Sequence, residues 1–421
     1  MKRMNRITCL VAGLLASLGA LAQDTAQHVV TGRHNSAAQE KKPYVIMISI
    51  DGCRYDYLDK YGAVNLQRLS AKGVRAASMQ PSFPSLTFPN HYTLVTGLYP
   101  SHHGLVDNGF YDRQRNQVYK LNDRKAVQDS SWYHGNPLWV LAEKQQMVSA
   151  SYFWVGSESN IQDAAPTYSF TYNEKVSIDR RIQQVVEWLQ LPEDRRPHLI
   201  TFYFPEVDHA GHFNGPDADS TRNQVRFVDA SIGKMEAAVA RLKLPVNFIV
   251  VSDHGMIAAD TAHRIMTDDF YKGDSLLALP AAQKLMYYGS NKKQLDSLYD
   301  FLKGHELHYT VYRKMQTPMR WHYGQDDRYN RIGDVIALAD AGYVFGGSKV
   351  RYSVIGNHGY DNRTPEMQAI FLAWGPAFKS GLKIPAFANV NVYPLVAHIL
   401  GLTIPEAIDG RLEVLQPTLR K

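Results

Sequence analysis

A chain of 421 residues is long for one small domain and short for three, which points to a large α/β domain carrying an inserted lobe. Hydrophobic residues at 45% and charged residues at 20% are ordinary globular proportions. A formal charge of +6 is too small for a protein that coats nucleic acid, and no basic run with interleaved aromatics is present.

The chain opens with Lys2, Arg3 and Arg6, followed by an uncharged, mostly apolar run from Ile7 to Leu21. Ala20-Leu21-Ala22 supplies a small-x-small cleavage site, so residues 1–22 read as a secretory signal peptide. The run is short for a spanning helix, so no stable membrane insertion is expected and the mature chain belongs in the periplasm or outside the cell. Loss of three basic residues lowers the formal charge to +3, a mild attraction for an anionic small molecule. Cys9 leaves with the signal, and Cys53 then has no partner for an internal disulfide, which fits a bacterial periplasm. Cys53 itself reads as a packed residue. Residues 23–42, with Arg33 and His34, read as a flexible lead-in.

The folded domain is expected to start near Tyr44. Tyr44–Ile50 is a continuous apolar run with many β-branched residues, the pattern of a buried parallel strand. Leu199–Phe204, Phe248–Val251 and Ala369–Ala373 read the same way. Helical patterns lie between them, most clearly at Pro137–Gln145, Ile178–Leu189, Arg222–Leu242 and Val392–Leu400. The alternation predicts an α/β fold, a mostly parallel central sheet with helices on both faces. Residues 258–350 are richer in Lys, Tyr and Asp and read as an inserted cap lobe. The core is then 43–257 together with 351–415.

Three of the apolar runs pass directly into polar residues of ligand type. Ile50 leads into Asp51-Gly52, Phe204 into a stretch ending Asp208-His209-Ala210-Gly211-His212, and Val251 into Ser252-Asp253-His254-Gly255. Ligands of open α/β sheets bind beyond the carboxyl ends of the strands, so these termini can converge. Asp208 and His212 are four apart, which puts both on one face of a helical turn. His358 lies in a glycine-flanked loop, Ile355-Gly-Asn-His358-Gly-Tyr-Asp361. Each motif alone has a structural alternative, a helix cap for an Asp or a hydrogen-bonded core residue for a His. Together, Asp51, Asp208, Asp253, His212, His254 and His358 offer three ligands to each of two metals, with positions left open as in catalytic zinc sites. Manganese or iron could occupy the same donors. Thr87 precedes the helical pattern Asn90–Gly97, so its hydroxyl sits near a helix N-terminus that favours an anion. It serves either as a metal-activated nucleophile or as a helix cap.

With these motifs in this order, the chain resembles the nucleotide pyrophosphatase/phosphodiesterase family of the alkaline phosphatase superfamily over roughly Tyr44 to Val414. The motifs that carry the resemblance are Ser49-Ile-Asp-Gly-Cys-Arg54, Pro84-Ser-Leu-Thr-Phe-Pro-Asn-His91, Phe153-Trp-Val-Gly-Ser-Glu158, Asp208-His-Ala-Gly-His212, Ser252-Asp-His-Gly255 and Asn357-His-Gly-Tyr-Asp-Asn362. The resemblance implies an alkaline phosphatase-like fold and two zinc ions, one held by Asp51, Thr87, Asp253 and His254, the other by Asp208, His212 and His358. It also implies attack by Thr87 on phosphorus through a phospho-threonine intermediate, with Asn108 hydrogen-bonded to a phosphoryl oxygen. Cys53 stands where many relatives carry an aromatic.

The resemblance also bears on the substrate. Related monoesterases carry a Lys-x-Arg pair where this chain reads Trp154-Val155-Gly156, which favours a diester. Tyr172, eighteen residues after Trp154, matches a position where an aromatic stacks on a nucleobase, and Phe88, next to Thr87, could form the other face of a base sandwich. The leading expectation is hydrolysis of nucleotide phosphodiesters or pyrophosphates to nucleoside monophosphates. The alternatives are choline- or glycerol-bearing phosphodiesters, to which Glu158 and nearby tyrosines could contribute, a phosphonoacetate-type C–P hydrolase, and an inactive binding protein. Nothing in the sequence specifies an oligomeric state.

Overall fold

The computed structural model describes residues 26–270, 276–347 and 354–420. The signal peptide expected over 1–22 lies outside them. Among the described residues no helix is long and apolar enough to cross a membrane.

A nine-stranded sheet organises the chain. Its middle is the parallel set Ser149–Tyr152, Leu199–Phe204, Tyr44–Ile50 and Val246–Val251, in that spatial order. Every residue of Tyr44–Ile50 is buried, because helices cover both faces. Alternate side chains divide between two cores, as the two-residue period of a strand requires. Ile46, Ile48 and Ile50 pack with Val185 and Trp188 of helix Ile178–Leu189 and with Val225 and Ile232 of helix Asp219–Ala240. Val45 and Met47 join Leu94, Leu138 and Leu395 from helices Thr87–Thr96, Leu138–Lys144 and Val392–Leu400.

Two expectations need correcting. The fourth apolar run forms the strand Phe371–Trp374, but it pairs antiparallel to Val246–Val251, with Phe248 opposite Trp374 and Val251 opposite Phe371. An apolar run buried on both faces carries no mark of direction. The chain comes back from the inserted lobe at the carboxyl edge of the parallel strands and has to run the other way. The described part of 23–42 is also tied down rather than free. Gln27–Val29 pairs antiparallel with Tyr168–Phe170 at the sheet edge. The Asn35 amide donates to the carbonyls of Glu193 and Arg196, at 2.8 Å each, and accepts from the Val148 N–H at 2.7 Å. A short polar edge strand is held by its backbone, so it leaves no apolar signature in the sequence.

Between Val246–Val251 and Phe371–Trp374 the chain builds a four-stranded antiparallel sheet, in the order Leu277–Pro280, Lys284–Tyr288, Val335–Ala339, Tyr309–Arg313. Helix Lys292–Gly304 packs on it through Leu298 and Leu302. This lobe is fused to the main body. Trp321 stacks on Phe83 at 3.9 Å with an 8° tilt. The buried Arg331 pairs with Asp112 at 2.8 Å and donates to the carbonyls of Gly104 and Trp132.

Candidate active site

The neighbouring parallel strands Leu199–Phe204, Tyr44–Ile50 and Val246–Val251 end at one edge, and each releases its polar residues there. Asp51 follows the central strand. Asp253 and His254 follow its neighbour on one side. On the other side the chain turns into helix Glu206–Asn214, which carries Asp208 and His212. Gly52 adopts φ 65°, and a Cβ there would lie 3.0 Å from Asp208, so the turn after Asp51 can approach that helix only as glycine. His358 arrives just before the antiparallel strand, and so at the same edge.

Thr87 is the first residue of helix Thr87–Thr96; the cap position is the extended Leu86, which offers no side-chain hydrogen bond. The Thr87 hydroxyl is therefore not a cap, and its Oγ1 lies 3.2 Å from Nε2 of His254.

Three imidazoles share one device. Nδ1 of His254 meets the Gly255 carbonyl at 2.9 Å, Nδ1 of His212 the Gly356 carbonyl at 2.8 Å, and Nδ1 of His358 the Ser85 carbonyl at 3.0 Å. A carbonyl only accepts, so each Nδ1 carries a proton and each Nε2 is turned into the site. Nε2 of His212 and Nε2 of His358 are 3.1 Å apart, and Asp208 Oδ1 lies 3.5 Å and 3.7 Å from them. His254 Nε2 lies 3.5 Å from Asp51 Oδ1 and 3.0 Å from Asp253 Oδ2. Asp51 Oδ1, Asp208 Oδ1 and Asp253 Oδ2 are buried without a hydrogen-bond donor. Converging lone pairs and orphaned carboxylate oxygens are what a cation would satisfy.

The electrostatics point the same way. Burial, and then the charges of Asp253 and Asp208, push the Asp51 carboxyl well above its ordinary pKa. Burial, and then His254 and His212, hold the His358 imidazole well below its own. Three groups bring donor atoms within 4.8 Å of one another: Asp208 with His212 and His358; Asp51 with Asp208 and His254; Asp51 with His91 and Asp253. Carboxylate and imidazole together suit zinc and its neighbours. Asp208 belongs to two of these groups, whereas the resemblance implied it for one ion only.

Two supporting residues were not singled out in the sequence. His91 is fully buried, with Nδ1 2.9 Å from the Thr87 carbonyl and Nε2 2.8 Å from the Ser49 hydroxyl. With both nitrogens engaged it braces the site rather than ligating. Its signal was available, since it stands four residues after Thr87 on the same helical face. Tyr203 donates its hydroxyl to Asp51 Oδ2. Nothing in an all-apolar strand pattern distinguishes that tyrosine. Cys53 is buried, and burial first of all drives its thiol pKa far up, which makes it an inert packed residue.

Above the ligand groups opens a cavity of about 480 Å³, lined by Thr87, Asn108, Asp51, Asp208, His212 and His358 on one side and by Phe88, Trp154 and Tyr172 on the other. Asn108 Oδ1 accepts the Phe88 N–H at 3.0 Å, which leaves its amide NH₂ as a donor. Phe88 and Tyr172 are half-buried. Trp154 is almost wholly buried and donates Nε1 to the His91 carbonyl at 3.1 Å, so it packs the wall behind helix Thr87–Thr96. Glu158 accepts from the Tyr172 N–H at 3.0 Å and from both terminal nitrogens of Arg124.

The family profile "Type I phosphodiesterase / nucleotide pyrophosphatase" matches residues 45–361. An uncharacterised pyrophosphatase/phosphodiesterase of Schizosaccharomyces pombe is 34% identical over 391 residues, covering 89% of this chain and 80% of the yeast protein. The bis(5'-adenosyl)-triphosphatase of Xenopus laevis is 34% identical over 367 residues, covering 86% of this chain and 78% of its own length. Mouse ectonucleotide pyrophosphatase/phosphodiesterase family member 1 is 34% identical over 400 residues, but this chain spans only 43% of it. Among solved structures, murine ectonucleotide pyrophosphatase/phosphodiesterase 5, as an inactive threonine-to-alanine variant in complex with AMP, superposes with a TM-score of 0.84 at 32% identity, covering 90% of this chain and all of the other. The chain belongs to the type I phosphodiesterase/nucleotide pyrophosphatase family, with its alkaline phosphatase-like α/β fold, and is a hydrolase of that class.

Proposed function

We propose that this protein hydrolyses phosphodiester or pyrophosphate bonds of nucleotides, releasing nucleoside monophosphates, with Thr87 as nucleophile and a phospho-threonine intermediate. Two zinc ions are the cofactors, with Asp51, Thr87, Asp253 and His254 on one side and Asp208, His212 and His358 on the other. The observation that carries the reading is the Thr87 hydroxyl, 3.2 Å from His254 Nε2 and beside three buried carboxylates that each keep one oxygen without a hydrogen-bond donor. When bound, such ions supply Lewis acidity that lowers the pKa of a hydroxyl and offsets charge on attacking and leaving oxygens.

The chain's own groups do the rest. The Asn108 NH₂ reaches a non-bridging oxygen. Phe88 and Tyr172 hold the base, at about 1–3 kcal/mol per stacking face. Thr87 Oγ1 gives up its proton and bonds to phosphorus as the bond to the leaving oxygen breaks; a water oxygen then bonds to phosphorus, the Oγ1–P bond breaks, a proton from that water returns to Oγ1, and the monophosphate is freed. A relative named for bis(5'-adenosyl)-triphosphatase activity, and another held with AMP when a threonine is replaced, support this assignment. The same reading puts the mature protein in the periplasm or outside the cell.

The cavity wall also argues for diesters and against choline. Trp154-Val155-Gly156 brings no cation, and among the described residues lining the cavity Arg124 is the only Lys or Arg. Arg124 is committed to Glu158, so Glu158, the residue considered for a choline cage, is already paired with a cation. The test compares zinc-loaded protein on a nucleotide phenyl diester, a choline phosphodiester and a phosphate monoester. The nucleotide diester is expected to turn over fastest, and Thr87→Ala to lose about three orders of magnitude or more in kcat while keeping its zinc. A monoester or choline preference, or an active Thr87→Ala, would overturn the reading.

A further inference from the structure

His358 is the one ligand-type residue of the site that the main body does not supply from a strand end. It sits in the short loop Gly356–Asn362, and the inserted lobe grips one face of that loop at several points. Gly356–Asn357 pairs antiparallel with Ile257–Ala258, where the chain enters the lobe. The Tyr360 ring is fully buried in the lobe core with Leu285, Tyr287 and Phe345. Its hydroxyl donates to the Tyr343 carbonyl at 2.8 Å and accepts from the Asn357 amide at 3.1 Å. Gly359 has φ 95°, and a Cβ there would lie 2.5 Å from Gln283 of the lobe and 2.7 Å from Leu86 beside the nucleophile. Arg320 of the lobe donates to Asp361 Oδ1 at 2.8 Å and Asn362 Oδ1 at 3.2 Å, with a second contact to Asp361 Oδ2.

The other side of the loop meets the nucleophile. Ser85 accepts from His358 Nδ1 through its carbonyl and donates its hydroxyl to the Tyr360 carbonyl at 3.2 Å. Ser85 stands two residues before Thr87. The loop is thus a clasp, with the lobe on one face and the nucleophile segment on the other. A histidine on a loop holds its ring direction only as well as the loop holds its backbone, and outer partners commonly change metal affinity by about 10–100-fold.

We propose that the inserted lobe is a positioning element of the active centre, in which Arg320 and Tyr360 anchor the His358 loop and so set the affinity of the Asp208–His212–His358 group for its cation. This rests on the two-cation reading above. Arg320 and Tyr360 touch neither substrate nor metal; they act through His358.

The test is zinc titration against a chromophoric chelator, with bound metal counted after dialysis, on the full-length protein and on Arg320→Gln, Arg320→Lys and Tyr360→Phe. The wild type is expected to keep two ions. Arg320→Gln and Tyr360→Phe are expected to keep one tightly and bind the other about 10–100-fold more weakly, with excess zinc restoring kcat. Arg320→Lys, which retains a charge opposite Asp361, is expected to fall between. Tyr360→Phe keeps the buried ring, so the test survives a failure of Arg320→Gln to fold. Variants that hold two ions as tightly as the wild type would overturn the proposal, as would equal weakening of both ions or failure of both variants to fold. A wild type that binds fewer than two ions would overturn the two-cation reading together with this one.

Discussion

Nδ1 of His91 lies 3.3 Å from Oδ2 of Asp253, with both side chains fully buried. The same nitrogen meets the Thr87 carbonyl at 2.9 Å, so one imidazole ties the Thr87 backbone to one of the clustered carboxylates. Burial opposes charge on Asp253, but His254 and then His91 outweigh it and hold the carboxyl well below its ordinary pKa.

Replacing His91 therefore acts on the metal centre and not on substrate contacts. His91→Gln is expected to weaken zinc binding at the Asp51–Asp253–His254 group by about 10–100-fold and to lower kcat at limiting zinc, with KM for a nucleotide diester little changed. Chelator competition together with steady-state kinetics at low and saturating zinc checks this. A raised KM with unaltered zinc affinity would contradict the bracing role.

The aromatic residues of the cavity divide by burial. Tyr172 is half-buried and lines the cavity, its ring meeting Phe153 edge-on at 5.3 Å and Tyr203 tilted at 6.0 Å rather than stacking on either. Tyr172→Ala or Phe88→Ala is expected to raise KM for a nucleotide diester by about 5–150-fold, the equivalent of one stacking face. Turnover of a small diester with no base should be spared. Trp154→Ala removes a buried ring from behind the nucleophile helix and should instead cost about 3–5 kcal/mol of stability, read as a lower denaturation midpoint.

His103 makes the fold sensitive to acid. It is fully buried; its Nδ1 accepts the Leu105 N–H at 3.2 Å, and its Nε2 lies 3.0 Å from the Thr93 hydroxyl. Burial pushes its pKa from 6.5 down to about 3, with His102 and His134 adding to the effect and Asp409 opposing it. Between those values the unfolded chain binds the extra proton. Its contribution to stability is therefore intact above pH 6.5 and is lost as the pH falls toward 3, at up to about 1.4 kcal/mol per pH unit for one proton. Urea unfolding over that range should show the slope, and His103→Gln should flatten it whatever its effect on stability at neutral pH.

Much of the arrangement is legible in local patterns. The uninterrupted apolar runs Tyr44–Ile50 and Leu199–Phe204 appear as strands with the expected bounds, and helices Ile178–Leu189 and Val392–Leu400 likewise. Helix Asp219–Ala240 begins three residues before the apolar pattern does, because its first turn is polar, and even the buried Thr221 there is held by a hydrogen bond to the Gly215 carbonyl. Asp51, Asp208, His212, Asp253 and His254 could be named because each follows a strand that has to end at a common edge, and His358 because glycines flank it in its loop.

The sequence by itself determined which side chains stand at strand ends and helix starts, because strand and helix periodicity are properties of neighbouring residues. It supplied Asp51, Asp208, His212, Asp253, His254, His358 and Thr87 as a set of donors and a hydroxyl. Only the tertiary structure decided the antiparallel run of Phe371–Trp374, the edge pairing of Gln27–Val29, the position of Asp208 between two donor groups, and the bracing of Thr87 by His91. Those features depend on where distant segments meet, and the energy that settles them comes from contacts across the fold, which no local spacing records.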